Sequence, residues 1–174
     1  MTNPPSPVRT NQAVEFLRVV QQHHIQLSSM ADFKANVLLG ASFLIFGASS
    51  REIRDGQAGV PVIALMLTAF VTATLVVLAM LPATSRARNP TPNLLFFGVF
   101  TQMPEQQFQA EMRSLLHDED KLFDAMIRDI YQLGWVLQTK KYKHLGQAYQ
   151  VFFCGLMISG LALAGETAWK MIHP

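Results

Sequence analysis

Two stretches of this chain carry no charge at all. Pro61 to Ala83 and Leu145 to Gly165 are apolar runs. Each is about the 20 residues needed to cross a hydrocarbon core of about 30 Å. A buried core helix of a soluble domain accounts poorly for two such runs in 174 residues. Only 15% of the residues are charged, against roughly 25% in ordinary soluble domains. The deficit is concentrated in these runs, so the chain is expected to be an all-α membrane protein.

Ala35 to Ser50 is a shorter third candidate, interrupted by Asn36, Ser42, Ser49 and Ser50. Its flanks favour insertion, because Lys34 can snorkel at one end and Arg51 and Arg54 stand at the other. The expected spans are 34–51, 60–81 and 146–166. The alternative has two spans, with the first helix lying along the membrane surface. The stretch 83–144 collects Arg86, Arg88, Arg113, Lys121, Arg128, Lys140, Lys141 and Lys143. The positive-inside rule then places the amino terminus and this stretch in the cytoplasm, and the tail 167–174 outside. "MTNPPSPVRT" lacks the apolar core of a signal peptide and reads as a disordered tail, 1–8. Cys154 reads as a small packing residue. A net charge of +2 gives no reason to expect nucleic-acid binding.

The first and third spans are expected to be the ends of longer helices. No proline falls between Arg9 and Arg54. A helix of about 42 residues is about 63 Å long, twice the bilayer core. Its first part (9–33) should therefore project into the cytosol. Ala13, Leu17, Val20, Leu27 and Ala31 mark an apolar stripe there, with His24 on the same stripe. A lone polar group in such a stripe more often sets register than binds a ligand. In the carboxyl-terminal half, acids open a helix at about Glu119. Phe123, Met126, Ile130, Leu133 and Leu137 give it an apolar face. One helix is expected from about Glu119 to about Lys170, cytosolic over 119–145. The two long helices then form a cytosolic helical bundle. Gly40 and Gly47, each followed by alanine, suggest a close-packing face in the first span.

Between the spans, 82–118 should be a cytosolic linker. "PATSRARNPTPN" is turn-rich, "LLFFGVF" is too short to span, and a short helix runs from about Pro104 to Leu116. Phe96 and Phe97 either plug a gap between helices or offer a face on which a flat base stacks. Pro90 and Pro92 would help to hold Asn93, whose amide both donates and accepts hydrogen bonds.

Charges at a membrane threshold need partners. Asp32 and Lys34 are two residues apart and point in different directions on a helix. "KKYKH" lies at the same depth before the third span, and continuing the apolar stripe reaches Lys140 or Lys141. Asp32 pairing with one of them is one expectation. The surplus cations, Lys34, Lys140, Lys141 and Lys143, would then suit a phosphate or an anionic lipid headgroup.

"ADFKANVLLG", "NLLFFGVF" and "KKYKHLGQAY", in this order beside membrane spans, resemble the transmembrane effector family of the Pycsar antiphage system. The resemblance runs from about Val14 to Leu163. It implies a bacterial inner-membrane protein that answers cyclic CMP or cyclic UMP made by a partner cyclase. It also implies that the protein damages the membrane so that the infected cell stops growing, which is abortive infection. Asp32, Lys34 and Ala35 match the first motif, Asn93, Phe96, Phe97 and Gly98 the second, and Lys141 and Tyr142 the third. The candidate ligand-binding residues are thus Lys34, Asn93, Phe96, Phe97, Lys140, Lys141 and Tyr142, with Asp32 and His24 as structural or gating groups.

Nothing in the chain resembles a metal motif, nucleophile elbow or Walker loop, so neither a resident cofactor nor enzyme chemistry is expected. Two other readings stand beside a nucleotide-gated effector. One is a structural or assembly protein without a small ligand, and the other a small ion channel with another trigger. Three spans from one chain have few polar residues to line a pore, so a homo-oligomer in contact with lipid is the expected active form.

Overall fold

A computed structural model describes residues 7–56, 59–81 and 93–173. Of the expected tail only the part from Pro7 is described. The linker residues Pro82, Arg86, Arg88, Pro90 and Pro92, and Pro174, lie outside the described residues.

The described elements are all helical: α1 (Pro7–Arg54), α2 (Val60–Met80), α3 (Phe97–Phe100), α4 (Glu105–Leu116), α5 (Glu119–Val136), a π-helical segment (Leu137–Tyr142) and α6 (Lys143–Ile172). Three stretches are long and apolar enough to cross a membrane: Asn11–Arg54, Val60–Met80 and Glu119–Ile172. The first helix is therefore of spanning length and composition, as the three-span expectation requires.

Local chemistry explains the boundaries. Pro7 suits the first turn of α1, where its missing N–H is no loss. Arg51 and Arg54 complement the negative end of its dipole. Gly56 follows with φ of 81°, a conformation that glycine adopts without a Cβ penalty. Pro61 opens α2 in the same way as Pro7 opens α1. Leu81 is already extended, as the residue before a proline tends to be. Asp118 caps α5 by accepting from the Lys121 backbone N–H, and its carboxylate also meets the Lys121 ammonium at 2.9 Å. Chiefly the hydrogen bonds from Lys121 hold this carboxyl below its ordinary pKa.

A seam of period 3.5 runs along α1. Val14, Leu17, Gln21, His24, Ser28, Ala31, Ala35, Leu38, Ser42, Ile45 and Ser49 are all at least partly buried. Such a strict repeat is the pattern of helices that coil around one another. The expected stripe was partly out of phase: Ala13 is exposed, and Val14, Gln21 and Ser28 take seam positions. Leu17, His24 and Ala31 lie on the seam as expected, and Val20 and Leu27 are half-buried beside it.

The carboxyl-terminal helix is not one uninterrupted α-helix, because the π-helical segment separates α5 from α6. The α5 face of Phe123, Met126, Ile130, Leu133 and Leu137 extrapolates to positions 140, 144 and 147. On α6 the buried or partly buried positions are instead Leu145, Ala148, Phe152, Gly155 and Ser159, one residue later. A π turn inserts that extra residue and rotates the seam. The Thr139 hydroxyl donates to the Trp135 carbonyl (2.7 Å), and the His144 ring bonds the Lys140 carbonyl (2.7 Å). Side chains thus serve carbonyls around the segment where the α-helical ladder changes register.

The chain divides into two compact units, Met1–Ser29 with Pro82–Thr139, and Met30–Leu81 with Lys140–Pro174. The second contains the spanning helices. Its apolar core is Ala31, Ala35, Leu38, Val76, Ala79, Leu145 and Ala148, with Leu39, Leu75 and Phe152 against it. Gly155 is buried where α6 approaches α2, and a Cβ there would overlap the Thr68 side chain. The close-packing role expected of Gly40 and Gly47 is not seen within the chain, since nothing lies within 4 Å of a Cβ built at either. Cys154 is exposed on α6 rather than packed inside.

Candidate functional site

In the unit that holds the spanning helices, the Lys141 ammonium donates to the Asp32 carboxylate at 2.7 Å. The π turn brings Lys141 to the seam face that an unbroken helix would have offered at position 140, which decides between the two lysines. The pair is partly sheltered, with the side chain of Lys141 25% and that of Asp32 44% exposed. Water still reaches it, so the contact adds little to stability, typically about 0–1 kcal/mol for such pairs. Its value lies in register, the usual role of charges flanking a coiled seam. On the same two helices, the Tyr149 hydroxyl donates to the Lys34 carbonyl at 3.3 Å, a second tie between α1 and α6.

The Lys34 side chain is exposed, and among the described residues it makes no salt bridge. Lys34, Lys140, Lys141 and Tyr142 belong to the same compact unit. Of these, Lys141 is the lysine that the described salt bridges place on Asp32.

Asn93, Phe96 and Phe97 belong to the other unit. Asn93 is buried, and its amide is fully engaged. Its Nδ2 donates to Asp129 Oδ1 and to Gln132 Oε1, both at 3.0 Å, and its Oδ1 accepts from the Leu95 N–H at 2.9 Å. Asp129 accepts a further bond from Gln21 Nε2 at 3.0 Å, which ties α1 to α5. The amide expected to face a ligand instead fastens the turn before α3 to α5. A buried carboxylate needs such donors, because leaving it unpaired is costly. The prolines expected to hold Asn93 are outside the described residues; the described hold comes from Asp129 and Gln132. Phe97 is 53% exposed, with its ring centroid 5.1 Å from that of Phe96. Gly98 is buried beneath, where a Cβ would meet the Phe96 ring at 2.7 Å.

His24 lies on the α1 seam beside Gly134, where a Cβ would sit 3.5 Å from its ring. Its Nδ1 is buried without a hydrogen-bond partner among the described residues. Sequence reasoning missed Gln21, Asp129 and Gln132. Their only local signal was the i, i+3 spacing of Asp129 and Gln132 on one face of a helix. It also missed a cavity of about 210 Å³ lined by Asn93, Leu94, Leu115, Lys121, Asp124, Ala125 and Arg128.

Among known proteins, a family model described as the Pycsar effector protein domain, PycTM, matches residues 15–165. No curated protein and no solved structure gives a significant match.

Proposed function

This chain belongs to the Pycsar effector family, and we propose from that premise that it senses a cyclic pyrimidine mononucleotide and impairs the bacterial inner membrane. The observation that carries the reading is the family match over residues 15–165, together with three helices long enough to span a bilayer. Phage infection leads a partner cyclase to make cyclic CMP or cyclic UMP. The nucleotide shifts the resting helices to an arrangement that damages the membrane, and the cell stops growing before phage mature.

Lys34 and Lys141 bind the phosphate, and Asp32 holds Lys141 until the nucleotide arrives. A ligand changes the balance between two arrangements only by binding one better than the other. Charge-assisted bonds to phosphate supply the few kcal/mol that a moderate shift needs. The stretches 9–33, 82–118 and 119–145 form the cytosolic part, and the active form is a homo-oligomer in lipid.

Thermal-shift titration of the detergent-purified protein tests recognition. Cyclic CMP or cyclic UMP should raise the melting temperature, while cyclic AMP and cyclic GMP should not. No shift with any of the four would remove the nucleotide from the reading. Topology is tested separately. A reporter active only in the periplasm should work when fused after Pro174 and be silent when inserted near Thr101. The reverse pattern would defeat the charge argument for a cytoplasmic amino terminus.

A further inference from the structure

The interior of the spanning unit changes character along its length. At the end that carries Asp32 and Lys141 it is apolar, built around Leu38, Val76 and Leu145. Further along, the buried positions include Ser42 and Ser49 on α1, Thr72 on α2, and Gly155 and Ser159 on α6. No buried residue there is larger than threonine. Of the large side chains at this level, Leu44 is 77% and Leu161 69% exposed, while Ile45, Leu65 and Met66 are half-buried.

Small residues alone would suit close helix packing. Packing predicts that each hydroxyl bonds back to its own helix, the usual way to satisfy it in hydrocarbon. Ser42, Thr68 and Thr74 do so, donating to the carbonyls of Leu38, Ala64 and Phe70. Thr72 Oγ1 and Ser159 Oγ do not: both are buried with no hydrogen-bond partner among the described residues. A buried hydroxyl without a partner costs about 1–3 kcal/mol, and water or an ion removes that cost.

We propose that the Leu38, Val76 and Leu145 end is a dewetted gate, and that the hydroxyl-bearing interior beyond it lines a pathway for small monovalent cations. The inference rests on the reading that this protein impairs a membrane, and it names the route: one path within each copy of the homo-oligomer, along hydroxyls that the sequence alone did not place together. Hydroxyl and carbonyl oxygens are acceptors suited to a cation, and the described buried residues there include no base. An apolar constriction closes such a path by excluding water. The Asp32–Lys141 contact lies three residues before Ala35 and four before Leu145, so parting α1 from α6 there separates the gate as well.

The test uses full-length protein in liposomes, without nucleotide. Val76→Ser should release potassium at least tenfold faster than wild type at equal incorporation, while a trapped dye the size of carboxyfluorescein stays inside. Val76→Leu should remain tight. Leu145→Ser and Leu38→Ser repeat the test should Val76→Ser fail to incorporate. In a Cys154→Ser background, Ser159→Cys should react at least tenfold faster with a membrane-impermeant thiol reagent when Val76→Ser is also present. Incorporated serine variants as tight as wild type would overturn the proposal, as would release of potassium and dye together. Because no nucleotide is used, leaky gate variants beside a wild type that ignores cyclic CMP and cyclic UMP would keep the pathway and remove the nucleotide reading.

Discussion

Replacing Gly155 with valine is expected to disrupt the spanning unit more than any other single change in α6. The Cβ alone would overlap Thr68, and valine adds two methyl groups in the same direction. Thr68 cannot simply turn away, because its hydroxyl donates to the Ala64 carbonyl at 2.8 Å. Losing that bond or moving α2 away are the two responses open to it. Overpacking of this kind costs about 1–3 kcal/mol, occasionally more. The measurable result is a melting temperature in detergent lowered by several degrees, with loss of ligand-dependent toxicity. Thr68→Ala should restore part of the loss, since it removes the methyl and hydroxyl that the new Cβ strikes but leaves the Thr68 Cβ, 2.6 Å away. A double-mutant cycle reads that coupling directly. If Gly155→Val melts like wild type, the close approach of α2 and α6 is wrong.

The contrast between Gly155 and the pair Gly40 and Gly47 shows what small residues tell a reader of sequence. All three lie in apolar runs and suit close approach. Only the first meets another helix of the same chain. The identity of a small residue reports that something can come near, and it leaves open whether anything does.

Periodicity is legible wherever polar and apolar residues alternate clearly. The α5 face of Phe123, Met126, Ile130, Leu133 and Leu137 is at least partly buried at every position. On α1 the same method was caught between two adjacent registers, because Ala13 and Val14 are both apolar and 3.5-residue series pass through either. The true seam contains Gln21 and Ser28, which look like surface residues until a partner such as Asp129 is known. The π turn was equally hidden. It changes phase by one residue without altering composition, and with it the choice between Lys140 and Lys141. The lysine cluster and its acid were legible because unlike charges at a membrane threshold must be compensated. The ties of Asn93 to Asp129 and Gln132 span 36 and 39 residues, and no local pattern encodes a bond of that range.

Lys141→Ala and Asp32→Asn are expected to move nucleotide affinity in opposite directions. Lys141 has two roles in the proposed mechanism, holding Asp32 at rest and phosphate when active. Its loss removes one charge-assisted hydrogen bond, about 1.5–3 kcal/mol, so affinity for the cyclic nucleotide should fall roughly ten- to a hundredfold. Asp32→Asn keeps the shape but frees Lys141 from its competitor. A partly exposed pair is worth about 0.2–1 kcal/mol. Removing it from the resting arrangement alone should strengthen binding by up to about fivefold, by the same factor that it raises activity without ligand. Both variants should therefore leak somewhat more than wild type in the absence of nucleotide, and only Lys141→Ala should lose its response. The competing view is that Asp32 and Lys141 merely pin two helix ends. That view predicts similar small losses of stability in both variants and no change in affinity in either. Measuring affinity and melting temperature on the same preparations separates the two views. An unchanged affinity in Lys141→Ala would move the phosphate away from this lysine while leaving the helices and their seam as described.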